Sequence, residues 1–100
     1  FVSCSNMNTD PYHYLAVINW NQVAEIHLAG HTVKQLPQGE IRIDTHNNPV
    51  CDEVWDMVDA YKDKLQYIPC LIEWDADIPS LEILIAEAKK AQQHLGLTNA

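Results

Sequence analysis

Three short segments of the chain alternate apolar and polar residues, which is typical of half-buried β-strands. The clearest runs from Ile41 to His46 and reads Ile-Arg-Ile-Asp-Thr-His. Similar segments lie at residues 25–30 before it and 70–75 after it. Because successive side chains of a strand point to opposite faces, each segment is predicted to have one apolar face and one face of charged and imidazole groups. We expect helices to cover the apolar faces.

The pattern changes to a helical period in three places. An Asp-Pro pair is a typical helix start, and it predicts a helix over residues 10–20. Two longer helices are predicted over residues 50–66 and residues 79–96, with Gly96 as the stop of the last one. Their predicted buried stripes are Val54, Met57, Val58, Tyr61 and Leu65 in the first, and Leu81, Leu84, Ile85, Ala88, Ala91 and Leu95 in the second.

Strands are predicted at residues 1–4, 23–28, 40–45 and 70–74, with a loop at residues 32–39. The alternation of strands with helices favours a parallel sheet with right-handed crossovers. A complete eight-stranded barrel takes roughly 200 residues or more, so this chain holds at most half of one. The sequence therefore predicts an α/β fold: either a small open domain or the C-terminal half of a (β/α)8 TIM barrel, forming one partial domain over residues 1–100. The charged strand faces favour the half barrel, because an ordinary apolar core cannot bury unpaired charges.

Composition and charge exclude some partners. The formal net charge is -8, from 14 acidic and 6 basic residues, and only Lys89 and Lys90 are adjacent. This disfavours nucleic acid and anionic membranes as partners, and no apolar run approaches the roughly 20 residues of a membrane span. Cys4, Cys51 and Cys70 are widely spaced, which predicts reduced thiols in a cytoplasmic protein without a signal peptide. Since the chain does not begin with Met, we expect it to be a fragment, a processed chain or a chain that lacks upstream residues.

Four residues near the predicted strand ends form a candidate metal-ligand set. Asp44 and His46 are two residues apart, so both are expected to point the same way from one strand. His27 and Glu73 are expected to come from flanking strands, which lie about 5 Å away. Nitrogen and oxygen donors without a thiolate suit iron, manganese, zinc or cobalt. A single strand histidine is more often a hydrogen-bonded core residue, but the coincidence at three strand ends predicts a metal site.

Two further residues are predicted to act beside these ligands, as candidate catalytic residues. His31 lies just past the strand that carries His27 and could bind metal, relay protons or touch substrate; the alternative is an exposed loop histidine. Asp75 could support a ligand from outside the metal shell or simply cap its loop. Arg42 is expected to form a structural ion pair, with Glu25 as the candidate partner.

The motifs that carry these residues resemble a known family. Residues 25–31 (Glu-Ile-His-Leu-Ala-Gly-His), 43–46 (Ile-Asp-Thr-His) and 71–79 (Leu-Ile-Glu-Trp-Asp-x-x-Ile-Pro) are similar to the C-terminal half of an uncharacterised bacterial family of multinuclear non-haem iron enzymes, typified by MbnB and TglH. The resemblance runs from Val2 to about Leu95. It implies a xylose-isomerase-like TIM barrel whose iron ligands come from several strand ends. By motif, the ligands carried here are His27, Asp44, His46 and Glu73.

The resemblance also implies an activity. The family's enzymes use two or three irons and oxygen to modify cysteine residues of a peptide, often with a partner protein that captures the leader. One departure is Asn47, where the family often has Asp. The N-terminal barrel half, with its own ligands, is not part of this chain, so we expect the isolated chain to be inactive and its strand edges to pair with another chain, as in a homodimer.

Two other hypotheses about function stay open at this point. The same barrel could serve a divalent-metal sugar isomerase or a hydrolase, because a fold does not determine a function. Alternatively, the chain is a non-catalytic half barrel that dimerises and retains only residual affinity for metal.

Overall fold

The computed structural model describes residues 1–96. In chain order the elements are helix α1 (Val2–Asn6), helix α2 (Pro11–Ala16), a 3-10 turn (Trp20–Gln22), strands β1 (Ile26–Ala29), β2 (Thr32–Leu36) and β3 (Gly39–Ile43), helix α3 (Asp52–Leu65), strand β4 (Cys70–Glu73) and helix α4 (Leu81–His94). Within residues 1–96, no helix is long and apolar enough to cross a membrane.

β1 and β4 form a parallel pair, with Ile26 opposite Cys70 and Ala29 opposite Glu73. α3 lies between them in sequence and provides the crossover that a parallel connection requires. Because opposed residues of a parallel pair share a face, His27 and Glu73 lie on one face, as predicted. The prediction of a mixed α/β fold with parallel strands is confirmed, while closure into a barrel stays a prediction.

The second sheet is an antiparallel hairpin of β2 and β3, in which Leu36 lies opposite Gly39. The predicted loop over residues 32–39 was therefore wrong, and so was the place of the third strand in the parallel sheet. The residues taken as loop punctuation form the hairpin tip instead. Pro37 suits the first central position of a tight turn, and the φ of 135° at Gly39 is open to glycine alone.

The N-terminal residues form α1, so the strand predicted at residues 1–4 was wrong. Periodicity could not distinguish a helix from a strand over only four residues. α1 is attached to β3 through the side-chain amide of Asn6. The Arg42 N–H donates to Asn6 Oδ1 at 2.8 Å, and Asn6 Nδ2 donates to the Arg42 carbonyl at 2.7 Å. α2 begins at Pro11 as predicted, with Asp10 as its cap, but it is shorter than predicted.

The core lies where α3 and α4 cover the apolar face of the parallel pair. Its buried hydrophobic residues are Leu28, Val50, Trp55, Val58, Leu65, Ala91 and Leu95. The predicted stripe of α4 was wrong at Leu81, Ile85 and Ala88, which are exposed. α4 is rotated so that Glu87 is buried instead, where its Oε2 accepts a hydrogen bond from the Val50 N–H at 3.2 Å.

The three cysteines are free thiols, as predicted. Burial raises the pKa of the Cys51 thiol and of the Cys70 thiol. A raised pKa keeps a thiol protonated and poorly nucleophilic. Neither residue is therefore suited to act as a nucleophile.

Candidate metal centre

His46 is held between the carboxyl ends of β1 and β4 by its main chain. Its N–H donates to the Gly30 carbonyl at 3.2 Å, and its carbonyl accepts from the Asp75 N–H at 2.7 Å. The φ of His46 is 50°, in the left-handed region that residues other than glycine seldom adopt. His46 thus bridges the ends of the two parallel strands, although it follows the antiparallel hairpin in sequence.

Gly30 lets the segment that carries His46 lie against the end of β1. A Cβ atom at Gly30 would lie 1.9 Å from the carbonyl oxygen of Asn48 and 2.5 Å from that of Pro49. The Asn48 side chain also donates to the carbonyl of His31 at 2.9 Å. The close approach therefore requires glycine, and it fixes the distance between the two segments.

The Glu73 carboxylate joins the two histidines of the site. Its Oε1 accepts from His27 Nδ1 at 2.8 Å, and its Oε2 contacts His46 Nδ1. Asp75 Oδ2 also accepts from His46 Nδ1, at 3.0 Å. The side chains of Glu73 and His46 are 22% and 25% exposed, so this contact is partly shielded from water.

Each histidine also contacts the carboxylate two residues before it. Asp44 Oδ1 lies 2.8 Å from His46 Nε2, and Glu25 Oε1 contacts His27 Nε2. Glu25 was not among the predicted site residues. Its Glu-x-His spacing repeats the Asp-x-His spacing of the other pair, and that repetition could have identified it.

The electrostatics of the cluster favour positive charge. The hydrogen bond to Glu25 raises the pKa of His27, and the hydrogen bond to Asp75 raises the pKa of His46. In both cases partial desolvation opposes the increase but does not cancel it. Four carboxylates around two imidazoles form a site that a cation would stabilise.

The donor set also fits a metal ion by geometry. One ligand atom from each of His46, Glu73 and Asp75 lies within 4.8 Å of the others. Imidazole nitrogens with carboxylate oxygens are donors that suit iron and other divalent transition metals. A single ion could therefore be reached by these three residues, with His27 joined to the group through Glu73.

His31 lies beside the cluster and not within it. Arg42 Nη1 donates to His31 Nε2 at 2.6 Å, and the ring of Phe1 lies against that of His31 with centroids 5.7 Å apart. Burial, followed by the guanidinium of Arg42, lowers the pKa of His31. Arg42 also pairs with Glu40 at 3.5 Å, so the ion pair expected with Glu25 forms with a different carboxylate.

A cavity of about 320 Å³ connects His31 with the cluster. Its imidazole and carboxylate lining consists of His27, His31, Asp44 and His46. Phe1, Val54 and Met57 are among the apolar residues that line it. The structure thus brings together five of the six predicted site residues and places the sixth, His31, on the wall of the same cavity.

Comparison of the sequence with known proteins identifies a family. Residues 1–96 match the family model described as RiPP precursor modification enzyme MbnB/TglH/ChrH. No solved structure matches the chain.

Proteins of similar sequence come from several bacteria. A UPF0276 protein of Vibrio parahaemolyticus is 50% identical over 90 residues, which are 90% of this chain and 31% of that protein. A UPF0276 protein of Vibrio vulnificus is 47% identical over 92% of this chain and 32% of its own length, and one of Caulobacter vibrioides is 44% identical over 92% and 31%. The chain spans about a third of the length of these relatives. Since the family model covers nearly every residue, the chain belongs to the MbnB/TglH/ChrH family of RiPP precursor modification enzymes.

Proposed function

We propose that this chain supplies part of the iron centre of an oxygen-dependent oxidase that modifies cysteine residues of a peptide. The observation that carries the proposal is the contact of one carboxylate, Glu73, with the Nδ1 atoms of two histidines. We propose His27, Asp44, His46 and Glu73 as metal ligands, with two or three irons in the intact protein. Membership of a family of peptide-modifying enzymes supports a peptide as the substrate.

The barrel belongs to the same proposal. β1, α3 and β4 form one β-α-β unit, and α4 follows β4 as the next helix of an alternating series. Glu73 is the last residue of β4, and His46 is hydrogen-bonded to the residues that follow the carboxyl ends of β1 and β4. Barrel enzymes place their active sites at this end of the strands. We propose that this unit is part of a xylose-isomerase-like barrel in the intact protein.

Bound iron would supply redox chemistry with oxygen and Lewis acidity toward a thiolate. The protein's own residues would orient the peptide and limit the access of water. Because Nε2 of neutral His31 accepts from Arg42, its proton lies on Nδ1. His31 is therefore placed to donate a hydrogen bond to substrate and not to remove a proton. Asp75 holds His46 at Nδ1 and also supplies an oxygen within reach of an ion.

The shape of the cavity supports a small, partly apolar substrate group. Its volume of about 320 Å³ suits one amino-acid side chain with adjoining backbone, and its walls combine apolar residues with the donor cluster. Phe1 and Met57 line the cavity on the apolar side. A cysteine side chain, which is small and polarisable, fits both properties.

The first test is the metal content of the chain as purified, measured by plasma mass spectrometry together with the mass in solution. We expect iron at one or more ions per chain, and its loss in His46→Ala. His13→Ala is the matched control, because this histidine lies on α2 with 89% of its side chain exposed. A well-folded chain that holds no metal under anaerobic iron loading would contradict the proposal.

The second test concerns the reaction. We expect oxygen consumption by the protein that carries this chain when a cysteine-containing peptide is supplied, and none with the corresponding serine peptide. A divalent-metal isomerase or hydrolase on the same fold would turn over its substrate without consuming oxygen. Turnover of that kind, supported equally by zinc or manganese, would replace the oxidase proposal with the second enzyme class.

A second proposal concerns partners: two copies pair through strand edges, or one edge receives a leader-binding protein. Within residues 1–96, β1 and β4 form a sheet of two strands, and sheets of this size are marginal without further strands or covering elements. Leu71 of β4 is 47% exposed and lies on the same face as His27, so a partner that adds a strand at the edge would also cover this apolar side chain. A monomer at all concentrations in sedimentation experiments would refute pairing of copies.

A further inference from the structure

Glu25 contacts the nitrogen of His27 that lies away from the cluster. His27 Nδ1 donates to Glu73, whose other oxygen contacts His46. His27 Nε2 contacts Glu25 Oε1 on the opposite side of the ring. The imidazole therefore lies between two carboxylates, of which one belongs to the candidate metal centre and one does not.

A metal-binding histidine has two ring nitrogens with different tasks. One binds the metal, and the other donates its proton to an outer carboxylate, carbonyl or water, which fixes the tautomer and the orientation of the ring. In this structure Nδ1 faces the shared carboxylate of Glu73, so Nδ1 is the inner nitrogen of His27. Nε2 is then the outer nitrogen, and Glu25 is its acceptor.

The local chain conformation explains why Glu25 can reach this nitrogen. Glu25 immediately precedes β1, and residues two apart on an extended chain lie on the same side. Glu25 also borders an apolar cavity of about 300 Å³ that is lined by Leu15, Ile18 and Trp20 among others. The side chains of His27 and Glu25 are 48% and 55% exposed, so the contact depends on its geometry and not on burial.

The charge of Glu25 is not used in another ion pair within the described part of the chain. Across residues 1–96, His27 is the basic residue within ion-pair distance of the Glu25 carboxylate. By contrast, Glu40 pairs with Arg42. A structural ion pair with lysine or arginine therefore does not account for Glu25.

We propose that Glu25 is a positioning residue of the metal centre, which holds His27 with Nδ1 toward Glu73 and the metal. This inference rests on the proposed function, because it requires that His27 is a ligand. It assigns a role to a residue outside the predicted ligand set. Its effect is exerted through the ring of His27, not by contact with the metal or substrate.

The test uses zinc(II) as a diamagnetic probe, titrated into the whole chain against a competing chelator. We expect Glu25→Ala to weaken zinc binding by about 10–100-fold, as is usual for the outer partner of a metal-bound histidine. Glu25→Gln keeps an acceptor oxygen but loses the charge, so it should fall between Glu25→Ala and wild type. Glu82→Gln is the control, since this carboxylate lies in the first turn of α4, and it should bind as wild type does.

The second readout is the ¹⁵N spectrum of His27 in the zinc-loaded chain, which a merely structural role would not change. In wild type we expect the proton on Nε2 and the metal on Nδ1. In Glu25→Ala, loss of the acceptor should shift or broaden both resonances, and Glu25→Gln should restore the wild-type pattern.

The outcomes separate the two proposals. If wild type binds zinc and Glu25→Ala has the same affinity and the same His27 spectrum, the role of Glu25 is overturned while the metal centre stands. If Glu25→Ala weakens binding only in proportion to a loss of folded protein, seen by circular dichroism, the residue is structural and the inference is again overturned. If folded wild type binds neither zinc nor iron, the metal centre itself is refuted, and the role of Glu25 with it.

Discussion

Replacing Gly30 by alanine is the sharpest test of how the site is built. The added Cβ would lie 1.9 Å from the Asn48 carbonyl oxygen, whereas ordinary contact begins at 3.4 Å. The obstructing atoms belong to the main chain, so no side-chain rotation relieves the contact. The segment around Asn48 must therefore retreat by about 1.5 Å, and overpacking of this kind costs about 1–3 kcal/mol.

The retreat would also displace His46, which is two residues from Asn48 and hydrogen-bonded to the Gly30 carbonyl. Misplacement of a functional group by about 1 Å can reduce activity by about a hundredfold. We therefore expect Gly30→Ala to lower the free energy of unfolding by about 1–3 kcal/mol and to weaken metal binding at least about tenfold. Urea denaturation and metal titration against a chelator measure the two quantities.

Gly96→Ala is the matched control. A Cβ there meets nothing within 4 Å, but the φ of 72° is left-handed, so Gly96→Ala should cost about 1–2 kcal/mol and leave metal binding unchanged. The reasoning would be refuted if Gly30→Ala bound metal as tightly as wild type and unfolded at the same urea concentration.

Three further predictions concern other parts of the molecule. Glu87→Ala should lower the free energy of unfolding by about 1–3 kcal/mol, since it leaves the buried Val50 N–H without its acceptor. The pKa of His31 is lowered, so the folded state binds this proton less tightly than the unfolded chain. The contribution of neutral His31 to stability is therefore complete above the unfolded pKa of about 6.5 and is lost as the pH falls below that value. The urea midpoints of wild type and His31→Gln, compared across this pH range, should show the loss. His94→Ala should cost about 0.5–1.5 kcal/mol, because His94 stacks on Trp55 with ring centroids 4.7 Å apart, and thermal unfolding would measure the loss.

Each of these predictions has an outcome that would contradict it. Glu82→Ala serves as the exposed control for Glu87→Ala, and equal stability of the two variants would be inconsistent with the buried hydrogen bond. A His31→Gln difference that does not change with pH would contradict the assigned environment of His31. His13→Ala controls for the loss of a histidine in general, and it should unfold as wild type does.

The sequence by itself determined the parts of the fold that depend on local pattern. Alternation in the segments of β1 and β4 placed His27 and Glu73 on the face opposite the core, and the register of the parallel pair agrees. The stripe of α3 was found because its period persists over 14 residues, long enough to separate a helix from a strand. The motifs around His27, Asp44 and Glu73 were also sufficient to indicate the family.

The hairpin and the rotation of α4 depended on contacts that no local pattern contains. Most residues of β2 and β3 are exposed. Because neither face of the hairpin is buried, the sequence of β2 carries little alternation of apolar and polar residues. Apolar residues of α4 such as Ile85 suggested one buried stripe, but Glu87 is buried instead, and its carboxylate accepts a hydrogen bond from the Val50 N–H. Such a partner lies far away in sequence and becomes visible only when the chain is folded.

The candidate metal centre likewise depends partly on sequence pattern and partly on tertiary contacts. Residue types and spacing identified Asp44 and His46 as a pair on a strand predicted over residues 40–45. In the structure β3 ends at Ile43, so both residues follow the strand. Tertiary structure inserts His46 between the ends of β1 and β4, where the close approach at Gly30 allows the main chain to fit. Which carboxylate faces which ring nitrogen, and the place of Glu25 behind His27, follow from that packing, because main-chain hydrogen bonds between distant segments set the positions of the side chains.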